Sequence, residues 1–394
     1  MLRWERWRRR AHCVMLQRLR TPLSDAEELV GVSDMPLLSR VYAWVIGRKR
    51  AKELSAAKRI SPTRIPVISV GNFTFGATGK TPCVMHLTEL ALRWDNERGD
   101  AKHGRVPMLL TRGYGDDEWR MFQARFPSCK LAVGADRVRV GVQGVATHGS
   151  SLSCVLLEDG LQQWKIQKDL EIVMVDALAP FGNGKLIPHG SLREPPRDAL
   201  QRADVVIVHH ANLIDATTRL PLLLSRLRGL TDPTRKAVVA TSEMAVTALV
   251  TPQELASGSV PTAMSSPTLH LDGPKRDVVV FCGVGNPESV QRVVEAMNCW
   301  RHVHMESFPD HHAFSRTDLE DVRAISERFQ AQEQATDLAK SPVMILTTEK
   351  DYARAPELIQ DVFAAQELRI LVCAFRLSLD SESEVHNRVK NLLR

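Results

Sequence analysis

The sequence predicts an α/β fold, a mostly parallel sheet flanked by helices and divided into two lobes, on three observations. From residue 65 onward, short runs rich in β-branched and aliphatic residues alternate with helix-forming stretches, the pattern of a parallel sheet covered on both faces. Most of the polar motifs follow directly on a strand-like run, and ligands of such sheets bind beyond the C-terminal strand ends. An irregular, Ser- and Pro-bearing stretch at about 210–275 interrupts the alternation, and a second αβ series then begins. Two lobes with a cleft between them are expected, the second the smaller.

The elements are taken in chain order. The chain has 394 residues, 44% apolar and 25% charged, the make-up of a globular protein long enough for two domains. Residues 1–60 hold 14 Lys and Arg against 6 Asp and Glu, and the remainder 38 against 40. The basic character thus belongs to the N-terminal arm, and a nearly neutral body is a poor wrapper of nucleic acid; no nucleic-acid partner is expected. Seven scattered cysteines without a C-x-x-C pair argue for reduced thiols.

Residues 1–20 carry seven arginines and one acidic residue, Glu5. An Arg-rich, acid-poor start resembles an organelle transit peptide and serves equally as membrane-binding surface. Residues 1–33 are read as a basic extension. Residues 34–60 are read as a membrane-associated amphipathic helix. The stretch 35–47 is apolar with Tyr42 and Trp44 and runs into Arg48-Lys49-Arg50. It is too short to span a bilayer, and it fits either a surface helix on anionic lipid or a helix packed on its own domain.

The first strand, 65–70, feeds Gly71-Asn72-Phe73-Thr74-Phe75-Gly76-Ala77-Thr78-Gly79-Lys80-Thr81 and then a helical pattern over 81–93. Strand, glycine-bearing turn and helix N-terminus form a nest for phosphate oxygens. Lys80 would reach the β- and γ-phosphates and the Thr81 hydroxyl would hold Mg²⁺. The strict P-loop spacing requires glycine where Thr74 stands. A second strand, 108–111, leads into Arg112-Gly113-Tyr114-Gly115-Asp116-Asp117-Glu118, carboxylates able to take a proton from a substrate hydroxyl or to form a solvated acidic loop. After a helix over 137–147, the strand 154–157 ends in Glu158-Asp159-Gly160, like the Mg²⁺-holding strand of P-loop enzymes, although many strands end in Asp-Gly turns.

Strands over 171–176 and 204–208 flank a turn-rich segment, 181–195, in which Arg193 is the natural cation for transferring phosphoryl charge and otherwise a structural partner of Glu194. His209 and His210 are read as structural. The kinase domain is placed at 61–212 and the C-terminal α/β lobe at 213–394, its last helix packing back on the first domain. In that lobe come a strand over 278–282, helices over 287–298 and 316–330, and a strand over 343–347. Phe308-Pro309-Asp310-His311-His312 is considered for zinc with His302 and His304, but it lacks the ligand spacing; a histidine tuning a catalytic Asp suits it better. Thr348-Glu349-Lys350-Asp351 either lines a nucleotide pocket or caps a helix.

In this order and spacing the motifs closely resemble the tetraacyldisaccharide 4′-kinases, the lipid A 4′-kinases. The series is Val-Gly-Asn-Phe-Thr (70–74), Gly-Lys-Thr-Pro (79–82), Thr-Arg-Gly-Tyr (111–114), Asp-Gly-Leu-Gln (159–162), Asp-Leu-Glu-Ile-Val (169–173), Phe-Gly-Asn-Gly (181–184), Leu-Arg-Glu-Pro (192–195), Phe-Pro-Asp-His-His (308–312) and Thr-Glu-Lys-Asp (348–351). The wording at 202–210 and 349–352 is most similar to the plant and algal branch, whose members are thought to be mitochondrial; the cytoplasmic face of a bacterial inner membrane is the alternative.

The resemblance implies a P-loop-containing two-lobed kinase using ATP and Mg²⁺. It would phosphorylate the 4′-hydroxyl of a tetraacylated lipid A disaccharide 1-phosphate, giving lipid IVA. Its rivals are a kinase for another glycolipid and a non-catalytic membrane-associated nucleotide-binding protein. By the resemblance, Asp117 is the catalytic base with His311 its partner, and Lys80, Arg193 and Glu194 complete the catalytic set. Gly76, Ala77, Thr78, Gly79, Lys80, Thr81, Glu349 and Lys350 bind nucleotide, and Thr81, Glu158 and Asp159 serve the metal. Residues 35–50 dip into the membrane surface, and a monomer is expected. Four positions depart from the family pattern: Ala77 stands for a glycine, Glu158 for an Asp, Gln163 for a His and Asp116 for a glycine. Ala77 is expected to tolerate a positive φ poorly, and Glu158 to displace its carboxylate by roughly an ångström or more at a strict octahedral ion.

Overall fold

Val67, Ile68 and Val70 make a β-branched run whose alternate side chains point to opposite faces, and both faces are covered: all five residues of β1 (Val67–Gly71) are buried. This is the central strand of a parallel sheet in a computed structural model that describes residues 31–61, 65–97, 104–113, 117–257, 275–310, 312–335 and 342–393. The extension 1–30 lies outside the described residues.

The chain divides into two compact units. The first contains the described residues of 16–114, 122–243 and 376–394, and the second those of 115–121 and 244–375. In chain order the first unit comprises α1 (Leu37–Ser55), β1, α2 (Lys80–Glu97), β2 (Val106–Thr111), α3 (Asp117–Arg125, whose first residues cluster with the second unit), β3 (Lys130–Val133), α4 (Arg137–His148), β4 (Leu152–Glu158), β5 (Leu170–Asp176), α5 (Pro196–Leu200), β6 (Val205–His209), α6 (Arg219–Leu230) and the start of β7 (Val238–Val250). Its strands lie in the order β3-β2-β4-β1-β5-β6-β7, paired in parallel. Strand β1 thus sits between β4 and β5, so the loops leaving β1 and β4 emerge side by side.

The second unit contains the rest of β7, α7 (Pro252–Ala256), β8 (Arg276–Cys282), α8 (Pro287–Ala296), β9 (Trp300–Ser307), α9 (Arg316–Ala335), β10 (Met344–Thr348), α10 (Glu349–Tyr352), α11 (Pro356–Val362) and most of β11 (Glu367–Leu377). Its parallel order is β11-β10-β8-β9. Each unit has its own core: Phe73, Val173, Phe181, Leu192, Val206 and Leu227 lie in the first, and Val279, Phe281, Phe308, Leu319, Ile345 and Ile370 in the second.

The units meet the chain at 243/244, not at 212/213 as the sequence reading placed the division. Residues 213–243 stay with the first unit because β7 pairs with β6, Val205 opposite Val238, and Leu223 and Leu227 of α6 bury in the first core. In the described part of the stretch expected to be irregular, 210–257, there are a twelve-residue helix and a thirteen-residue strand; 258–274 lie outside the described residues. After β11 the chain returns to the first unit as α12 (Leu379–Leu393). There Val385, Val389 and Leu393 are buried, and the His386 ring stacks on His86 of α2 with their Nε2 atoms 3.2 Å apart.

Candidate active site

The loop between β1 and α2 is shaped by two glycines and one asparagine. Gly76 and Gly79 take φ of +111° and +79°, the left-handed region that an L side chain enters at a cost. Ala77 is not among the positive-φ residues, so the expected strain there is absent: the two neighbouring glycines absorb the turn. Asn72 is fully buried, and its side-chain amide donates to Thr78 Oγ1 at 2.9 Å and to the Gly76 carbonyl at 3.4 Å. The loop ends in α2, whose first N–H groups have no intrahelical acceptor and carry the positive end of the helix dipole.

Gly79 lies flat against a ring. A Cβ built there would stand 2.4 Å from Cδ2 of His209, at the end of β6. Burial, then the adjacent His210, pushes His209 well below the usual histidine range, so the imidazole is neutral; its Nδ1 lies 2.9 Å from Ser242 Oγ. His210 Nδ1 lies 3.1 Å from Asp176 Oδ1. The His209 ring is the floor of the loop at Gly79.

Strand β4 delivers the two carboxylates. Glu158 is buried opposite Val70 of β1, and its Oε1 accepts the Thr81 hydroxyl at 2.6 Å. The extra methylene, expected to displace the carboxylate, here spans the distance to Thr81. Asp159 adopts φ +49°, a strained setting for a residue with a Cβ, and it is gripped by cations. Arg193 Nη1 donates to both its oxygens at 2.8 and 2.9 Å, and Lys80 Nζ is 3.7 Å away. Burial works to raise the Asp159 carboxyl, but Lys80, Arg193 and Arg137 together outweigh it and hold the group below the ordinary range.

Arg193 is positioned from several sides. Its guanidinium lies 4.9 Å from the ring centre of Phe75, an exposed aromatic on the glycine loop. Its carbonyl accepts the Tyr42 hydroxyl at 2.6 Å. Burial and Glu194 raise the Tyr42 pKa, with Arg193 opposing, so the phenol stays a donor. Glu194 is fully buried. Both its oxygens accept from Arg202 at 2.9 Å, and it accepts a third bond from Gln162 at 2.9 Å and a longer one from Arg50 at 3.4 Å. Gln162 also donates to the Asn72 carbonyl at 2.9 Å. Glu194, expected in the catalytic set, therefore has the surroundings of a positioning residue.

These residues fit a nucleotide with its metal ion. The buried Nε atoms of Arg193 and Arg137 have no hydrogen-bond partner among the described residues, and orphaned buried cationic donors suit phosphate oxygens. Thr81, Glu158 and Asp159 supply few protein oxygens, as suits Mg²⁺, which keeps waters and phosphate oxygens in its shell. Among the described residues no group of three or more His, Cys, Asp or Glu is gathered as metal ligands.

Gly76, Ala77, Thr78, Gly79, Lys80, Thr81, Glu158, Asp159, Arg193 and Glu194 thus come together in the first unit. Glu349 and Lys350 belong to the second. There they open α10, which Thr348 caps by accepting from Asp351 N at 3.2 Å, and Lys350 Nζ lies 3.9 Å from Asp310 Oδ1. Asp351, fully buried, accepts from Arg354 at 2.6 Å and from Gly283 N at 2.9 Å. His312 is stacked on Phe308 and bonded to Asp318 at 2.9 Å. Asp117 begins α3, but its side chain and the whole of His311 lie outside the described residues. The sequence reading missed Tyr42, Arg50, Asn72, Arg137, Gln162 and Arg202 as parts of the site. Asn72, Gln162 and Arg202 stand inside quoted stretches and Tyr42 and Arg50 in the helix read as membrane-associated, but none of these, nor Arg137, carries a local signal for the site.

The comparisons agree. The family model described as Tetraacyldisaccharide-1-P 4'-kinase matches residues 35–394. An Arabidopsis thaliana protein named "Probable tetraacyldisaccharide 4'-kinase, mitochondrial" is 32% identical over 325 residues, covering 75% of this chain and 74% of its own. A Halothermothrix orenii protein named tetraacyldisaccharide 4'-kinase is 29% identical over 370 residues, 88% of each chain. A crystal structure from Aquifex aeolicus, titled an "apo" form of LpxK in complex with ATP, superimposes with a TM-score of 0.57 at 19% identity, covering 91% of this chain and 98% of that one. The chain belongs to the tetraacyldisaccharide-1-P 4′-kinase family.

Proposed function

We propose that this chain transfers the γ-phosphoryl group of ATP to the 4′-hydroxyl of a tetraacylated lipid A disaccharide 1-phosphate, giving lipid IVA. Family membership supports the reaction. The observation that carries it onto residues is the cluster at the head of α2, where Thr81 bonds Glu158 and both Lys80 and Arg193 face Asp159. Phosphoryl transfer asks for positioning and charge neutralisation more than covalent help, and this cluster supplies both.

In the proposed arrangement the N–H groups of 76–81 and the Lys80 ammonium hold the β- and γ-phosphates. The Thr81 hydroxyl, Glu158 and Asp159 would hold Mg²⁺, which when bound would supply charge neutralisation for the phosphate oxygens. Arg193 turns toward the equatorial oxygens of the transferring group, steadied by Phe75 and by Asp159. Asp117, partnered by His311, accepts the proton of the sugar hydroxyl as its oxygen forms the new bond to phosphorus and the ADP oxygen leaves. Glu349 and Lys350 are proposed as further nucleotide contacts. The test is incubation with detergent-dispersed disaccharide 1-phosphate, Mg²⁺ and γ-labelled ATP. Labelled lipid that disappears in Lys80→Ala and Asp117→Ala supports the reading; label that survives both refutes it.

An acylated acceptor requires the body to reach a lipid surface, and α1 is proposed to do so. Leu37, Leu38, Val41, Trp44 and Val45 are all exposed, Leu37 at 71% and Trp44 at 59%. They share one face at i, i+3, i+4, i+7 spacing, with Arg48 stacked 4.4 Å over Trp44. Apolar surface with aromatic and basic edges suits anionic lipid headgroups. No helix among the described residues is long and apolar enough to cross a membrane, so the helix would lie in the interface. A mitochondrial location is proposed on the name of the Arabidopsis relative and the Arg-rich residues 1–20; a reporter carrying residues 1–60 that stays diffuse in the cytosol would overturn it.

A further inference from the structure

Helix α1 is held to its unit by polar contacts and by Tyr42 and Ala43 packed on the first core, while its most apolar stripe faces outward, the reverse of a surface helix. Its inner stripe carries Ser39, Tyr42 and Arg50. Ser39 Oγ donates to the Leu186 carbonyl at 2.8 Å, and Arg50 pairs with Asp198 at 2.8 Å and reaches Glu194 at 3.4 Å. The Tyr42 hydroxyl meets the carbonyl of Arg193 at 2.6 Å. Two consecutive residues, 193 and 194, are therefore each fixed by a side chain of α1. Arg193 is the residue whose guanidinium grips Asp159 beside Lys80. Glu194 is tied through Gln162 to the Asn72 carbonyl at the root of the glycine loop. From the inner side of α1 to the root of the phosphate loop, hydrogen bonds run from Tyr42 and Arg50 through 193 and 194 and Gln162 to Asn72.

We propose that Tyr42 and Arg50 are positioning residues that couple the lipid-facing helix to Arg193 and the glycine loop, so that seating on lipid and binding of nucleotide strengthen each other. The proposal rests on the readings of α1 and Arg193 given above. Lipid holds the outer face of α1; the two polar contacts hand that constraint to the backbone at 193–194; the nucleotide phosphates meet an Arg193 already in place. Coupling between sites is reciprocal, so nucleotide must tighten lipid binding by the same factor.

The test uses the full chain and vesicles of phosphatidylcholine with phosphatidylglycerol, without acceptor lipid. Affinity for a fluorescent ATP analogue is titrated with and without vesicles, and vesicle co-sedimentation is measured with and without ATP. The wild-type chain is expected to show the same factor, about five-fold or more, in both experiments. Tyr42→Phe, which keeps the ring, and Arg50→Met are expected to sediment with vesicles like wild type while the factor falls to about one. Arg50→Lys, which keeps the charge, should retain part of it. A merely structural role would weaken nucleotide binding equally with and without vesicles and leave the factor intact, and that result overturns the proposal. So does a wild-type chain that binds vesicles with no change in nucleotide affinity. A wild-type chain that fails to sediment at all removes the membrane reading of α1, and this proposal with it.

Discussion

Replacing Gly79 by alanine separates two costs in one position. The backbone there sits at φ +79°, and placing a Cβ in that region costs about 1–2 kcal/mol. The same Cβ would stand 2.4 Å from Cδ2 and 2.7 Å from Nε2 of His209. That ring is fully enclosed and bonded to Ser242, so it cannot simply swing away; overpacking of this kind costs roughly 1–3 kcal/mol. Gly79→Ala should therefore destabilise the chain by about 2–5 kcal/mol, read by urea denaturation followed by fluorescence. His209→Ala should by itself cost about 2–4 kcal/mol for the lost packing. The double variant removes the clash but not the backbone strain, so the sum of the single effects should exceed the double by about 1–3 kcal/mol, the overpacking share. Strict additivity would refute the contact between Gly79 and His209. A Gly79→Ala effect below about 1 kcal/mol would refute the left-handed backbone as well.

The other predictions concern charge and pH. Glu158→Gln keeps the Thr81 contact but removes a negative charge at the proposed metal site; the Mg²⁺ concentration for half-maximal activity should rise by about ten-fold or more, and an unchanged requirement would put the ion elsewhere. Asp351→Asn leaves the Arg354 guanidinium without its buried counter-charge, and breaking such a pair costs about 3–5 kcal/mol, to be read in the melt of the second unit. His86, lowered to about 3 by burial, then by His386 and Arg93, is neutral in the fold. Its contribution is whole above the unfolded value near 6.5 and fades as pH falls below it, at up to about 1.4 kcal/mol per pH unit. His86→Gln should therefore flatten the loss of stability between pH 6.5 and 4. Trp44→Ala with Leu38→Ala should abolish vesicle co-sedimentation while leaving the melt unchanged.

Much of the frame was legible in the chain. The strands at 67–71, 152–158, 170–176 and 205–209 announce themselves because they are buried on both faces and so read as unbroken aliphatic runs. Strand β7 does not: Thr241-Ser242-Glu243-Met244-Ala245 lacks that run, and it is pairing with β6 that makes it a strand. Strand β9, with His302 and His304 at its exposed edge, drew attention as chemistry when His302 is bonded to Asp277. In the candidate site, Lys80, Thr81, Glu158 and Asp159 were legible because they stand at or beyond the C-terminal ends of strands. Their supports were not, since Tyr42 meets Arg193 across 151 positions and Gln162 meets Glu194 across 32, and periodicity carries no signal over such separations. Ala77 shows the converse: a departure visible in the sequence that the backbone does not register.

The return of α12 to the first unit sets an order of events during synthesis. The first unit includes residues 376–393, made after 244–375, and their helix packs on α2. At ~5–20 residues per second, the intervening 244–375 take roughly 7–26 s to emerge. For that interval the helix carrying Lys80 and Thr81 is on the ribosome without its cover, and the second unit has time to fold first. A nascent chain halted before residue 379 should therefore leave α2 open to proteases, and emergence of α12 should close it.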